Sequence, residues 1–315
     1  MNRIIYVPQF PSSMRYQNWH ITEFEKEFKK YFDTVIILGR KPKGIEKTEY
    51  GEIFSPINAS IEYELQQIEE YLKLDVKIDD VLFLSDLSFP GFFANVLHHG
   101  KPKKCFAYVH ATSKNRFDYF LPFRSSKWQV ECGQAELFDK IFVGSEYHKK
   151  KLGWDNTEVV ALPEPPFEFR QIKEMCNSNK IVDIFSASRP TPQKVNKEIE
   201  AIIEEKFSII QRHTFDYWRD YYMYLAQSKV LISTSSEETF GYQIMDAILA
   251  GCIPIAPNDF SYPELLDREY LYDDVDELLD TLTIALNGGL PVPEKLLCQD
   301  LVDNFYKNIC EIMKG

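Results

Sequence analysis

Short apolar runs and amphipathic segments alternate along the first half of the chain. The run RIIYVPQF predicts a strand, and the polar loop PSSMRYQNWH follows it. The next segment, ITEFEKEFKKYF, has apolar residues at helical spacing, and TVIILG predicts a second strand. The same order recurs in DDVLFLSD, in KCFAYVHA and in DKIFVGS, which precedes the helical EYHKKKLG. Strands that alternate with helices in this way are typical of a doubly wound α/β domain with a parallel sheet.

A proline-rich stretch divides the chain. In PEPPFEF, three prolines within four positions prevent a helix, so we interpret residues from about 162 to 172 as a linker. A second round of strands and helices runs from KIVDIFSASR to KVLISTS, and the tail CQDLVDNFYKNICEIMKG has helical spacing. The pattern predicts the fold class α/β with an N-terminal domain over 1–165 and a C-terminal domain over 166–300. We expect the C-terminal helix 301–315 to pack back on the N-terminal domain.

The composition indicates a globular protein and excludes several other classes. Apolar residues make up 44% and charged residues 27% of the 315 residues, which is ordinary for a folded chain. The six cysteines show no C-x-x-C spacing, so we expect reduced thiols in a cytoplasmic protein without a disulfide frame. The first residues lack a signal-peptide core, and Gly251 and Pro254 interrupt the apolar run AILAGCIPIAP. We therefore predict neither an export signal nor a membrane span.

Charge is distributed unevenly along the chain. The net charge is −12, yet residues 1–175 carry 24 basic against 25 acidic side chains, whereas residues 176–315 carry 12 against 23. Within residues 101–151, eleven basic side chains stand against five acidic ones. A basic segment in an acidic protein is either a solvated surface or an electrostatic contact for a polyanion.

The stretch TSSEETFGYQIMDAILAGCIPIAP, residues 234–257, carries the most specific chemistry. Its first residues follow the predicted strand KVLIST and therefore lie at the carboxyl edge of a parallel sheet, where open α/β folds bind ligands. Gly241 opens a predicted helix, whose free N–H groups and positive dipole end suit a phosphate. Carboxylates beside such a site repel phosphate but accept hydrogen bonds from sugar hydroxyls. The stretch therefore predicts a ligand with phosphate and polyhydroxyl parts, such as a nucleotide sugar.

This stretch resembles the donor motif of retaining GT-B glycosyltransferases of the family 4 type. That motif has a Glu, a Phe-Gly pair, a second Glu eight positions after the first, an Ala and a later Gly-x-Pro. The matching positions are Glu238, Phe240, Gly241, Asp246, Ala247, Gly251 and Pro254. The resemblance implies a GT-B fold, in which two Rossmann-like domains face a cleft, and a reaction that retains anomeric configuration. It assigns Glu238 to the transferred sugar and Asp246, here in place of Glu, to the nucleotide ribose.

Further site residues follow from the same resemblance. The family carries an Arg and, five positions later, a Lys that neutralise the donor diphosphate, and SASRPTPQK matches this spacing. Two such cations suit a transferase that uses no metal ion. A His at the end of CFAYVH matches one that reaches the donor sugar in many relatives. The catalytic candidates are Glu238, Arg189, Lys194 and His110, and the donor-binding candidates are Phe240, Gly241, Tyr242, Asp246 and Glu264.

The acceptor half departs from the family pattern. The loop PQFPSSMRYQNWH lacks the glycine-rich turn of many relatives, which predicts an unusual acceptor. The segment YPELL at 262–266 is similar to one in a subgroup that transfers mannose to the queuosine base of tRNA, and other distant relatives glycosylate hydroxymethylpyrimidines in phage DNA. This similarity and the basic segment together favour a nucleic-acid base as acceptor. We expect the protein in the cytoplasm or, if it is encoded by a phage, in the host cytoplasm. The acceptor-binding candidates are Arg15, Tyr16, Asn18, Trp19, Arg116 and Asp118.

Other functions stay open on the sequence alone. The acceptor could be a glycan, a lipid or a small molecule, and an inactive nucleotide-sugar-binding protein could keep the same motifs. An inverting transferase would need a base in the N-terminal domain, with Asp118 and Glu131 as candidates. Asp274 and Asp276 in YDDVDEL form the metal-binding pair of another transferase class, but here they are typical of an acidic first helical turn. We predict no metal site and no cofactor besides the nucleotide-sugar co-substrate.

Overall fold

The computed structural model describes residues 2–10, 17–40, 57–87, 96, 99–115, 124–165, 179–188, 191–211, 215 and 218–315. The chain divides into two compact units. The first comprises Met1–Gly144, Lys149–Val160 and Asn304–Gly315, and the second comprises Ser145–His148 and Ala161–Asp303. Among the described helices, none combines the length and the apolar character needed to cross a membrane.

The first unit is built on a six-stranded sheet in the order β2-β1-β3-β4-β5-β6, and the described pairings are all parallel. Ile5, Leu82 and Ile141, which lie on three different strands of this sheet, are completely buried. Apolar strands of this kind are what a parallel sheet covered on both faces requires. The strands are β1 (Arg3–Val7), β2 (Thr34–Ile37), β3 (Val81–Leu84), β4 (Lys104–Tyr108), β5 (Lys140–Val143) and β6 (Thr157–Val159).

Helices separate many of the described strands. In chain order the described helices are α1 (Gln17–Tyr31), α2 (Ile57–Leu72), α3 (Arg124–Ala135), α4 (Glu146–Leu152), α5 (Lys197–Glu204), α6 (Trp218–Gln227), α7 (Tyr242–Leu249), α8 (Val275–Leu286), α9 (Gln299–Asp303) and α10 (Phe305–Lys314). Short 3-10 turns span Tyr262–Glu264 and Arg268–Tyr270.

The C-terminal helix α10 packs against α1 in the first unit. The Phe305 and Phe24 ring centroids lie 5.6 Å apart, and the Tyr306 hydroxyl lies 3.3 Å from His20 Nδ1. Burial, together with the nearby His110, lowers the pKa of His20 well below its ordinary value, so this ring is neutral. An aromatic layer with a neutral histidine therefore attaches the end of the chain to its first helix.

The second unit is built on a five-stranded parallel sheet in the order β11-β10-β9-β7-β8. Its strands are β7 (Val182–Ser186), β8 (Ile209–Gln211), β9 (Ser228–Ile232), β10 (Ile253–Pro257) and β11 (Leu271–Tyr272). From β7 the chain continues to one side, through α5 to β8, whereas β9 lies on the other side of β7. The strand order therefore reverses between β7 and β9, and open α/β sheets bind their ligands at such a switch point.

Candidate functional site

Two chain segments meet at the switch point of the second sheet. Residues 191–196 come after β7 and residues 233–241 come directly after β9. The Ser236 N–H donates to the Gln193 carbonyl at 2.9 Å, and the Asn196 N–H donates to the Thr234 hydroxyl at 3.0 Å. These hydrogen bonds hold the two segments side by side, so that side chains from both can act on one ligand.

The two segments contribute an ion pair, Lys194 and Glu238. Lys194 Nζ lies 2.5 Å from Glu238 Oε2 and 3.4 Å from the Glu237 carbonyl oxygen. The other oxygen of Glu238 accepts the Thr239 N–H at 3.0 Å. The Lys194 and Glu238 side chains are 19% and 18% exposed, so solvent reaches both partners. Burial raises the pKa of Glu238, but the charge and hydrogen bond of Lys194 outweigh it and hold the pKa below its ordinary value. Glu238 is therefore an anionic hydrogen-bond acceptor at neutral pH.

Gly241 begins the helix α7 beside this pair. Its φ of 104° lies in the left-handed region, and an added Cβ would approach Leu265 Cδ1 and Tyr262 Cε1 to 3.1 Å. Both conditions require glycine. No side chain caps the start of α7. A helix start without a side-chain cap leaves backbone N–H groups for another acceptor, and a phosphate is well suited to that place.

Phe240 and Tyr242 flank Gly241 and fix the helix start to its surroundings. Phe240 is buried, and its carbonyl accepts the Ser261 hydroxyl at 2.9 Å. The Tyr242 hydroxyl donates to the Pro163 carbonyl at 2.8 Å. These contacts explain how the loop is held, while the donor-binding roles of Phe240 and Tyr242 stay predictions.

Ser188 and Gln243 form a further polar pair that the sequence analysis does not single out. The Ser188 hydroxyl donates to Gln243 Oε1 at 3.0 Å, and Ser188 is almost completely buried. Ser188 follows β7 by two residues, and Gln243 is the second residue of α7. Their positions in the sequence could have indicated both residues, because Ser188 lies just beyond a strand and Gln243 just inside a helix at the carboxyl edge of the sheet, where open α/β folds bind ligands.

Asp246 lies inside α7 and is only 6% exposed. Both carboxylate oxygens accept hydrogen bonds from neighbouring tyrosines of α6: the Tyr222 hydroxyl lies 2.5 Å from Oδ1, and the Tyr221 hydroxyl lies 3.0 Å from Oδ2. Burial raises the pKa of Asp246 to about 7, although the hydroxyls of Tyr222 and Tyr221 oppose the rise. Contact of Asp246 with a ribose stays a prediction.

Glu264 accepts two backbone hydrogen bonds within the second unit. Its carboxylate oxygens accept the N–H groups of Glu146 and Tyr147, each at 2.7 Å. These N–H groups belong to the first turn of α4, where a negative charge also meets the positive end of the helix dipole. The sequence predicts Glu264 at the donor, and the two backbone hydrogen bonds add a capping role that the sequence does not reveal.

The capping role predicts a loss of stability in Glu264→Ala. Two N–H groups would lose a charged acceptor, so we expect the free energy of unfolding to fall by about 1–2 kcal/mol. Glu264→Gln is the matched control, because its amide oxygen still accepts one hydrogen bond and should give an intermediate loss. Denaturant unfolding of the three proteins measures the effect. Unchanged stability in Glu264→Ala would contradict the capping role.

In the first unit, His110 lies at the carboxyl edge of the sheet. It follows β4 by two residues, its Nε2 lies 3.1 Å from the Ser85 carbonyl oxygen, and its ring centroid lies 4.6 Å from that of Tyr108. His110 is partly exposed. The edge is the right one for a ligand-binding role, and its contact with the donor sugar stays a prediction.

Glu131, the described candidate for an inverting base, is fully engaged in the fold. It is 1% exposed and accepts the hydroxyl of Ser113 at 2.5 Å and the N–H of Ser113 at 3.1 Å. Lys127 Nζ lies 3.5 Å from its other oxygen. A general base has to reach the acceptor hydroxyl, so this placement disfavours Glu131 in that role.

The acceptor candidates are only partly described. Asn18 and Trp19 belong to the first turn of α1, and Trp19 is partly buried. Outside the described residues lie four acceptor candidates, Arg15, Tyr16, Arg116 and Asp118, and the donor-phosphate candidate Arg189.

Several cationic side chains of the basic segment contact carbonyl oxygens, an aromatic ring or carboxylates of the first unit. Lys114 Nζ donates to the Lys151 carbonyl at 2.8 Å and lies 4.5 Å from the centroid of the Trp128 ring. Arg124 donates to the carbonyls of residues 113 and 114 at 2.7 and 2.8 Å. Positive charge that is used inside the fold contributes less to binding a polyanion. Ion pairs to acidic side chains engage two more of these residues, Lys127 and Lys140.

The fold is that of the GT-B glycosyltransferases, as the sequence predicts. An α,α-trehalose-phosphate synthase (UDP-forming) from Burkholderia xenovorans, in complex with glucose-6-phosphate, is 9% identical at a TM-score of 0.66 over 100% of both chains. Sucrose-phosphate synthase from Thermosynechococcus elongatus is 12% identical at 0.62, over 100% of this chain and 94% of that one. A trehalose-6-phosphate structure from E. coli with bound UDP-2-fluoro glucose is 11% identical at 0.64 over 99% of each chain. At these identities the likeness establishes the fold, and a fold alone does not define an activity.

One curated relative is similar over part of the chain. A tRNA-queuosine alpha-mannosyltransferase from Drosophila melanogaster is 33% identical over 90 residues, which make up 29% of this chain. The matched part covers 24% of the relative's length. Comparison with protein-family profiles finds no match.

Proposed function

We propose that this protein is a glycosyltransferase that uses a nucleotide sugar and binds it at the carboxyl edge of the second sheet. The observation that carries the proposal is the placement of Lys194 and Glu238, 2.5 Å apart, beside the uncapped start of α7 at the switch point. A cation and a helix start suit a diphosphate, and an anionic carboxylate suits sugar hydroxyls. The GT-B fold supports the same donor class.

The roles of the donor-site residues follow from this chemistry. Lys194, together with Arg189, would neutralise the charge that develops on the departing nucleoside diphosphate, which makes a metal ion unnecessary. The backbone at Gly241 would contact phosphate, Glu238 would orient the transferred sugar, and Asp246 would accept from the ribose hydroxyls. Tyr242 and Glu264 would also contact the donor.

We further propose that the reaction retains anomeric configuration. The bond from the anomeric carbon to the departing phosphate breaks, and the acceptor oxygen forms its bond on the same face. The acceptor proton passes to the departing phosphate oxygen, so the reaction needs no dedicated protein base. The engaged Glu131 carboxylate supports this choice over an inverting reaction, and His110 would contact the donor sugar. Anomeric analysis of the product by NMR distinguishes the two outcomes.

For the acceptor we propose a modified nucleic-acid base, with tRNA ahead of DNA. The partial similarity to a tRNA-queuosine mannosyltransferase supports this acceptor class. The basic segment gives less support, because Lys114, Arg124 and Lys127 make contacts within the fold. A glycan, a lipid or a small molecule remains the alternative acceptor.

The proposed activity is tested with radiolabelled UDP-, GDP-, ADP- and CMP-sugars offered together with total tRNA, hydroxymethylated DNA or oligosaccharides. The expected result is label in the tRNA that depends on one of the donors. Label in DNA or in a glycan would support the proposed transferase activity and contradict tRNA as its acceptor. Neither transfer nor hydrolysis of any donor would contradict the proposed enzyme and favour a nucleotide-sugar-binding protein.

A further inference from the structure

The Asp246 carboxylate accepts hydrogen bonds from two adjacent tyrosines of the neighbouring helix α6. We propose that Tyr221 and Tyr222 are positioning residues that orient the Asp246 carboxylate toward the two ribose hydroxyls of the nucleotide donor. The inference rests on the proposed function and adds to it two residues that no donor motif contains. It also explains how a side chain one methylene shorter than Glu can serve at this position.

The geometry of the three side chains carries the inference. The Tyr222 hydroxyl bonds Oδ1 at 2.5 Å and the Tyr221 hydroxyl bonds Oδ2 at 3.0 Å, so each carboxylate oxygen receives one tyrosine. A carboxylate oxygen can accept two hydrogen bonds. One acceptor site therefore stays on each oxygen, and the two sites match the two neighbouring hydroxyls of a ribose. The tyrosines fix the plane of the carboxylate and thereby the direction of both sites.

The tyrosines act as donors throughout the physiological pH range. Burial, and then the charge of Asp246, raise the pKa of Tyr221 and of Tyr222 well above the ordinary value. A hydrogen bond from a neutral hydroxyl to a carboxylate oxygen favours the ionised form of the carboxylate over the protonated form. Tyr221 and Tyr222 therefore favour the form of Asp246 that can only accept hydrogen bonds, which is the form a ribose requires.

The surroundings of Asp246 define what a pH experiment would report. The groups that face the site are the hydroxyls of Tyr221 and Tyr222 on α6, with the Cys252 thiol before β10 and the Tyr242 hydroxyl on α7 near the two tyrosines. Burial raises the pKa of the Cys252 thiol to about 12, so it stays neutral. Among the described groups around this site, Asp246 is the one whose pKa is raised to about 7.

A comparison of ribose and dideoxyribose ligands isolates the proposed contact. Calorimetry measures Kd for UDP and for 2′,3′-dideoxyuridine diphosphate, and for the guanosine pair in parallel, at pH 8 and at pH 6. The proteins are wild type, Tyr222→Phe and Tyr221→Phe. The control is Tyr224→Phe, which removes a hydroxyl from the same helix at a ring that stacks 5.9 Å from Phe185. Circular dichroism confirms that each variant is folded.

The expected result is a loss of the ribose preference. At pH 8 the wild type and Tyr224→Phe should bind the ribonucleotide about tenfold or more tighter than its dideoxy analogue, which is the size of a hydrogen bond to a charged group. In Tyr222→Phe, and less strongly in Tyr221→Phe, the ratio should fall below about threefold at unchanged dideoxynucleotide affinity. The ratio should decline toward pH 6, with its midpoint at higher pH in Tyr222→Phe.

Two results would overturn the inference, and they differ in what else they affect. If the wild type binds a ribonucleotide and the folded tyrosine variants keep its ratio and pH dependence, the positioning role is wrong while the proposed function stands. If the wild type binds none of UDP, GDP, ADP and the corresponding nucleotide sugars, the proposed function fails, and the inference fails with it.

Discussion

Glu238→Gln should slow sugar transfer by about a hundredfold or more, yet bind a nucleoside diphosphate at least as tightly as the wild type does. The carboxylate contacts the transferred sugar in our account, and loss of one charge-assisted contact in the transition state has effects of this size. The same carboxylate also pairs with Lys194 at 2.5 Å. Its removal frees the ammonium group for phosphate, so binding and transfer should respond in opposite directions.

Steady-state kinetics and nucleotide calorimetry on the same samples measure the two effects. Glu237→Gln is the matched control, because it replaces the neighbouring carboxylate and keeps the described contact of Lys194 with the Glu237 backbone carbonyl oxygen. That variant should keep both transfer and binding. Full transfer activity in a folded Glu238→Gln protein would contradict the role of Glu238.

Asp246→Asn should be more stable than the wild type at neutral pH, by on the order of 3 kcal/mol. Burial raises the pKa of Asp246 to about 7 in the folded state, against an ordinary value of 3.8. Between these two pH values the folded protein holds a proton that the unfolded chain has lost. The wild type therefore loses stability as the pH rises from about 4 to about 7, and an uncharged Asn does not.

Thermal unfolding of both proteins at pH 4, 5.5, 7 and 8 measures this difference. The two midpoints should converge at low pH and separate as the pH rises, while donor affinity falls in Asp246→Asn because the ribose loses its charged acceptor. Asp183→Asn is the control, because that carboxylate is 43% exposed and pairs with Lys229 at the surface. A constant or reversed difference between Asp246→Asn and wild type would show that Asp246 is not destabilised by its burial.

The architecture is largely predictable from apolar patterning. The runs in DDVLFLSD, KCFAYVHA and DKIFVGS become the central strands β3, β4 and β5, because interior strands of a parallel sheet are buried on both faces and consist of short apolar runs. The strand KVLIST likewise becomes β9 and places the donor motif at the carboxyl edge. Local pattern and overall fold agree at these positions, which is why the prediction succeeds.

The contacts inside the site depend on packing and are harder to predict. Spacing suggests Lys194 and Glu238 separately, but their pairing depends on β7 and β9 being neighbours in the sheet. The helical pattern of FDYWRDYYMYLAQS predicts a packed helix and cannot show that the hydroxyls of Tyr221 and Tyr222 meet a carboxylate of α7. Glu264 binds backbone N–H groups more than 100 positions earlier in the chain, as the separations of 118 and 117 residues show.

We propose that the edge between β7 and β9 binds the diphosphate of a nucleotide sugar, and calorimetry with Lys194→Ala tests this binding most directly. UDP-, GDP- and ADP-sugars are titrated into the wild type and into the variant. The account predicts that at least one donor binds the wild type and that Lys194→Ala weakens its affinity about tenfold or more, because a charged contact to phosphate is lost. No binding of any donor to the wild type, or equal affinity in the folded variant, would contradict the account.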